Sequence, residues 1–245
     1  MRLLLSGEGP TDIGSTRPVP GGTAFAPGPM ALIVDALIEP VLGYSLVDAH
    51  PSMESVRHVP ESELAGHARS VKPVVLPGPK QPKGYAGFVK AAQTFGTLAR
   101  QEREARLHQP VVAVLFRDSD GTQRAPRDHW ERVVQAMSNG FERAGFADGV
   151  PMVPRPKSEA WLLCALKTAP YQDCAALEEA PGNDNSPNNL KDRLAAAVGG
   201  TPSAEEQADW VRQRKVDPDQ IDMPSFAEFK ASLKAALRTV GLRPE

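Results

Sequence analysis

Apolar and polar positions fall into blocks along this chain, and the period changes from block to block. Val111–Phe116 is an unbroken apolar run rich in β-branched residues, which predicts a strand buried on both faces, as inside a parallel sheet. Leu3–Leu5 is a shorter run of the same kind, predicting a first strand over Arg2–Ser6, and Val150–Val153 predicts another. Helical spacing predicts helices over Met30–Leu42, where Pro40 should kink or shorten the element, over Tyr85–Leu107 and over Asp128–Phe146. Ser158 reads as the N-cap of a short helix whose Trp161, Leu162, Leu163 and Leu166 face the core. Asn189–Val198, Ser203–Gln213 and Ser225–Val240 predict three more helices, the last opened by a Ser225/Glu228 capping box. Tyr44–His50, Glu54–Val59 and Val71–Leu76 are weaker extended segments, and Pro73 has the last either begin late or lie at an edge. Ile13–Pro29, Pro77–Gly84 and Ala180–Asn189 read as loops. Strands alternating with helices, then helices alone, argue for an α/β sheet with a helical C-terminal extension: a core over residues 1–165 and an extension over 166–245 packed on it.

Composition narrows this picture only a little. With 245 residues the chain is long enough for a substantial core, and a net charge of −2 excludes a protein basic all over while leaving room for a local basic patch. MRLLL meets SGEGP before an apolar leader can form, and no run approaches the roughly 18 apolar residues that span a bilayer, so a cytoplasmic protein with no membrane association is expected. Cys164 and Cys174, ten positions apart with no histidine at ligand spacing, predict neither a zinc site nor a disulfide framework, and Cys164 reads as a small buried side chain. His50, His58, His67, His108 and His129 show no metal spacing, and His129 reads as a surface residue at a helix start. Trp130, Trp161 and Trp210 each have apolar helical neighbours and read as core.

The chemistry concentrates where strands end. Glu8 and Asp12 follow the first strand, Asp118 and Asp120 follow the central one, and Lys157 and Glu159 follow Val150–Val153. In an open parallel sheet the carboxyl ends of the strands share one edge, where ligands bind. Five carboxylates gathered there need a counter-charge, and ligands offering only oxygen favour Mg²⁺ or Mn²⁺. Each acid alone also suits a cap or a turn. Lys80 and Lys83, with Arg117 and Arg155 beside the acidic motifs, are candidate nucleic-acid contacts. The glycine-rich turn fails the dinucleotide fingerprint because Asp12 stands where its third glycine belongs, and no GK[ST] follows. DSDG fails as a calcium loop because Gly121 is fourth rather than sixth and His129 stands twelfth.

GEGPTD (7–12) and RDSDG (117–121) resemble the two hallmark motifs of the TOPRIM fold of topoisomerases, primases and OLD nucleases: a glutamate in a glycine turn after the first strand, then Asp-x-Asp after a later one. RPKSEAWLL (155–163) and DMPSFAEF (222–229) resemble later segments of small stand-alone TOPRIM-like proteins. The resemblance implies a TOPRIM-like, Rossmann-like sheet. It implies Glu8, Asp12, Asp118, Asp120 and Glu159 as metal ligands, with Glu8, Asp118, Asp120 and Lys157 carrying catalysis and Lys157 steadying the phosphate. It further implies a Mg²⁺- or Mn²⁺-dependent nuclease acting on DNA or RNA, the effector of a pair with an ATPase partner in anti-phage defence or repair. The alternatives are a non-catalytic metal-binding interaction subunit and a phosphatase acting on nucleotides. Tyr44, Tyr85 and Tyr171 lie in no topoisomerase motif, and no primase zinc ribbon exists.

Overall fold

The computed structural model describes residues 1–20, 22–49, 54–70, 84–106, 109–119 and 126–244. In chain order these hold β1 (Arg2–Gly7), β2 (Gly14–Val19), β3 (Gly22–Pro27), α1 (Pro29–Leu42), β4 (Val56–His58), α2 (Glu61–Ser70), α3 (Ala86–Ala105), β5 (Val111–Phe116), α4 (His129–Arg143), β6 (Val150–Met152), α5 (Ser158–Leu166), α6 (Leu190–Val198), α7 (Ala204–Arg212) and α8 (Pro224–Thr239). Short 3-10 turns occupy Cys174–Glu179 and Pro218–Gln220.

The sheet follows from the apolar runs. Every residue of β1, β5 and β6 is buried, and the strands lie all parallel in the order β4-β1-β5-β6. Alternation sorts their side chains between two cores. Leu3, Leu5, Val112, Val114 and Phe116 join α1, α5, α6, α7 and α8 on one face, while Leu4, Val111, Ala113 and Leu115 join α3 and α4 on the other. The C-terminal helices thus share the core of the sheet's first face. α3 and α4 cross closely because Gly140 meets α3: a Cβ there would lie 2.4 Å from the Val89 carbonyl oxygen and 2.7 Å from Ala92 Cβ.

The chain runs from β1 out to β4 on one side, then returns to β5 on the other. Strand order therefore reverses between β1 and β5, the position where open α/β sheets bind ligands.

Several expectations are corrected. Gly14–Val19 and Gly22–Pro27, within the stretch read as loop, form the antiparallel β2–β3 pair, from Gly14 with Pro27 to Val19 with Gly22. It is largely exposed, so its sequence lacks an apolar period. Gly14, at φ +107°, allows a backbone approach that any side chain would block, since a Cβ would lie 2.3 Å from the Ala26 oxygen. Residues 44–49 form no strand: the Asp35 carboxylate takes the Leu46 amide at 2.7 Å, the Val47 amide at 3.3 Å and the Ser45 hydroxyl at 2.7 Å. α1 continues two residues past Pro40 to Leu42, because a proline in the final turn removes only one hydrogen bond. Val71–Leu76, Lys80 and Lys83 lie outside the described residues, as do His50, His108 and Asp120.

The capping boxes also shift. Ser225 caps nothing. Pro224 takes the first helical turn, and Ser225, buried, donates its amide to Glu178 Oε1 at 2.7 Å and accepts Trp161 Nε1–H at 2.9 Å. The box that forms is Ser203 with Glu206 on α7. Cys164 and Cys174 are joined in a disulfide with Cα atoms 5.2 Å apart. α5 stops at Leu166 and the chain doubles back, the Tyr171 amide reaching the Cys164 carbonyl at 2.8 Å, so a spacing of ten brings the two together.

Gly140→Val should force α3 and α4 apart and lower stability by roughly 2–3 kcal/mol, read as a lower denaturant midpoint at unchanged slope.

Candidate active site

The site grows from the register of β1 against β5. Gly7 pairs with Phe116, and a Cβ on Gly7 would lie 2.9 Å from Phe116 Cβ, so the two strands end pressed together. The loops that follow therefore start side by side. Glu8 Oε1 accepts the Asp118 amide at 2.8 Å, and Glu8 Oε2 pairs with Arg117 at 3.2 Å. Arg117 also pairs with Glu61 of α2 at 2.9 Å.

The segment after β6 closes on the same place. The Arg117 amide reaches the Met152 carbonyl at 3.0 Å and the Ser119 amide reaches Pro156 at 3.1 Å. The Ser158 amide then donates to Asp118 Oδ1 at 3.0 Å, and the Ser158 hydroxyl donates to Asp12 Oδ1 at 2.5 Å. Ser158, expected as an N-cap, is instead the first residue of α5, with Lys157 at the cap position. One chain of hydrogen bonds thus runs Glu8–Asp118–Ser158–Asp12 through three loops separated by 110, 40 and 146 positions. His129, expected at the surface, braces the middle loop. The Ser119 carbonyl only accepts, so His129 Nε2 donates to it at 2.8 Å, while the Tyr85 hydroxyl bonds Nδ1 at 2.7 Å.

Glu159 sits beside this chain with Oε2 buried and without a hydrogen-bond partner among the described residues. Burial pushes its carboxyl above the ordinary value, and the negative charge of Asp12 adds to the effect. Asp12 is pushed up in turn, by burial first, against hydrogen bonds from Ser158 and Thr11 and the charges of Lys191 and Lys157. The lysines are held by a residue that sequence reading missed: Asp184 takes Lys157 at 2.7 Å on one oxygen and Lys191 at 2.6 Å on the other. Burial pushes Asp184 up, but the two ammonium groups outweigh it and hold the carboxyl below its usual range. Nothing in the polar stretch GNDNSPNNLKD (182–192) distinguishes Asp184 from its neighbours.

The expected site residues thus divide. Glu8, Asp12, Asp118, Lys157 and Glu159 meet at the carboxyl edge, while Asp120 lies outside the described residues. Both Glu8 oxygens and one Asp118 oxygen already accept hydrogen bonds, and no group of three His, Cys, Asp or Glu stands in a ligating arrangement among the described residues. The Asp12–Glu159 pair, all-oxygen and incompletely satisfied, suits the way Mg²⁺ takes one or two carboxylates and completes its shell with water and phosphate. Arg117, its side chain 11% exposed, is held between two acids rather than offered to a polyanion. Arg155 lies at the mouth of a neighbouring cavity, paired with Glu179 at 3.3 Å.

A carboxyl raised in the fold binds its proton more tightly there than in the unfolded chain. Its contribution is therefore intact below the unfolded value and is lost as pH climbs to the raised one. In EDTA, Glu159→Gln and Asp12→Asn should match the parent protein's stability near pH 4 and exceed it at pH 8 by on the order of 1 kcal/mol, about 2–4 °C in Tm. A pH-independent difference by thermal melting would contradict this.

No protein-family model, no curated protein and no solved structure matches the chain, so the reading of this edge rests on its own residues.

Proposed function

We propose that this edge is the active site of a TOPRIM-like, Mg²⁺- or Mn²⁺-dependent nuclease that hydrolyses phosphodiester bonds in DNA or RNA. The observation that carries the reading is the buried, unpartnered oxygen of Glu159 beside Asp12, at the crevice where strand order reverses. Asp12 and Glu159 would hold the ion, with Asp118 next to them through Ser158. A bound ion supplies charge to a phosphoryl oxygen and acidity to a water molecule.

The remaining residues have roles of their own. Glu8 and Arg117 fix the loop that carries Asp118. Ser158 holds Asp12 and Asp118 at a set separation by donating to both. Lys157 and Lys191, anchored by Asp184, set positive charge close to the acid pair, where it favours an approaching phosphate. An ATPase partner belongs to the same proposal, as the TOPRIM resemblance implies. A non-catalytic role, in which the ion only braces the loops, is favoured by one observation: Lys157, the candidate phosphate contact, already bonds Asp184.

Cleavage of plasmid, single-stranded DNA and RNA with Mn²⁺ separates these readings. The nuclease reading expects product from at least one substrate, none in excess EDTA, and at least a hundredfold loss in Glu159→Gln and Asp12→Asn while circular dichroism stays unchanged. Full activity in both variants or in EDTA overturns it. A Mn²⁺-dependent rise in Tm without cleavage assigns the bracing role.

A further inference from the structure

The turn that carries Glu8 has a second side. Gly7 and Gly9, the chain neighbours of Glu8, line a cavity of about 260 Å³, and so does Ile13, which follows Asp12. The opposite wall comes from β2 and from the end of β4, through Thr16 and His58. The cavity therefore adjoins the acidic edge directly. Pockets that enclose a whole small ligand hold about 300–1,000 Å³. This one takes a single ring of a longer molecule rather than a complete nucleotide.

Its chemistry disfavours a phosphate and suits an uncharged ring. Among the described residues no lysine or arginine lines it, whereas Glu61 sets a carboxylate at its exposed rim. One Glu61 oxygen pairs with Arg117 at 2.9 Å, and no hydrogen bond reaches the other among the described residues. His58 is half-buried, and burial holds its imidazole below the ordinary value against the charge of Glu63, so the ring is neutral at pH 7. The Thr16 hydroxyl bonds His58 Nδ1 at 3.1 Å, while Nε2 has no partner among the described residues. Phe25 stacks on the same imidazole, with centroids 5.0 Å apart and planes 23° from parallel. Phe25 does not itself line the cavity, so His58 is the ring that a ligand meets. Unpaired bases are held in this manner, stacked on an aromatic or histidine ring and hydrogen-bonded along their edges. An exocyclic amino group would give the second Glu61 oxygen the donor it lacks.

We propose that this cavity receives an unpaired, amino-bearing nucleobase, stacked against His58 and hydrogen-bonded to Glu61, beside the phosphate at the acidic edge. The proposal rests on the nuclease reading for that phosphate and deepens it by naming single-stranded nucleic acid as the substrate. A base in a duplex has its edge occupied by its partner and cannot enter.

Nuclear magnetic resonance titration of the full chain in EDTA tests the pocket apart from catalysis, with adenosine, uridine and ribose as probes. Adenosine should shift the His58 imidazole and Thr16 amide signals saturably. Ribose should leave both in place, and uridine, which has no amino group, should bind at least threefold more weakly. Followed at the Thr16 amide, His58→Ala should weaken adenosine at least tenfold, and His58→Phe, which keeps a ring, less than threefold. Should His58→Ala unfold, Thr16→Trp at its exposed position fills the cavity and should abolish the shift of His58. No saturable shift with adenosine, or parental affinity in His58→Ala, overturns the pocket whatever the cleavage assay gives. Equal affinity for adenosine and uridine overturns the amino-base assignment. Adenosine binding that is lost in His58→Ala, with no nucleic acid cleaved, upholds the pocket and removes the nuclease reading. Mn²⁺-dependent cleavage as fast on duplex as on single strands overturns the single-strand assignment alone.

Discussion

Glu8 reaches from the end of β1 to the amide of Asp118 at the end of β5, and the carboxyl edge depends on that bond. Parallel pairing in register, Gly7 against Phe116, brings the two loops to the same level. The glutamate then fixes their separation. From there Ser158 carries the constraint into α5, donating its amide to one aspartate and its hydroxyl to another. The Asp118 loop is also tied to Met152, Pro156 and His129, but the Glu8 bond is the one that joins it to the end of β1. Glu8 is therefore part of the scaffold of the edge, and the proposed ion falls to Asp12 and Glu159 instead.

Of those two acids, Glu159 departs from the pattern of the other carboxylates. A structural carboxylate in this molecule has its oxygens met, as Asp35 does with two amides and a hydroxyl and Asp184 does with two ammonium groups. Glu159 keeps a buried oxygen unmet although Lys157 and Lys191 are near enough to act on its charge. Asp184 takes a hydrogen bond from each lysine, and both ammonium groups also act on the charge of the acid pair. Folding tolerates such a cost where the strained group has another task.

The strands were legible because buried parallel strands have to be apolar throughout: Leu3–Leu5 and Val111–Phe116 admit few other readings. The convergence of Glu8, Asp12, Asp118 and Glu159 followed from the rule that parallel strands end on one edge. What stayed hidden depends on tertiary contact. β2 and β3 are exposed and held partly by Phe25 stacking on His58, so no period marks them. Ser158 and Ser225 looked like caps because their neighbours form helices, yet both side chains serve contacts with distant segments. Asp184 and the Cys164–Cys174 link arise from chain reversals that leave no trace in spacing.

Both outer strands of the sheet carry one more consequence. Among the described residues the sheet ends in β4 and β6, each three residues long. The middle residue of β6 is Pro151, which has no amide hydrogen to offer a newcomer. The same brevity that leaves the centre to β1 and β5 guards the protein against growing strand by strand into an aggregate.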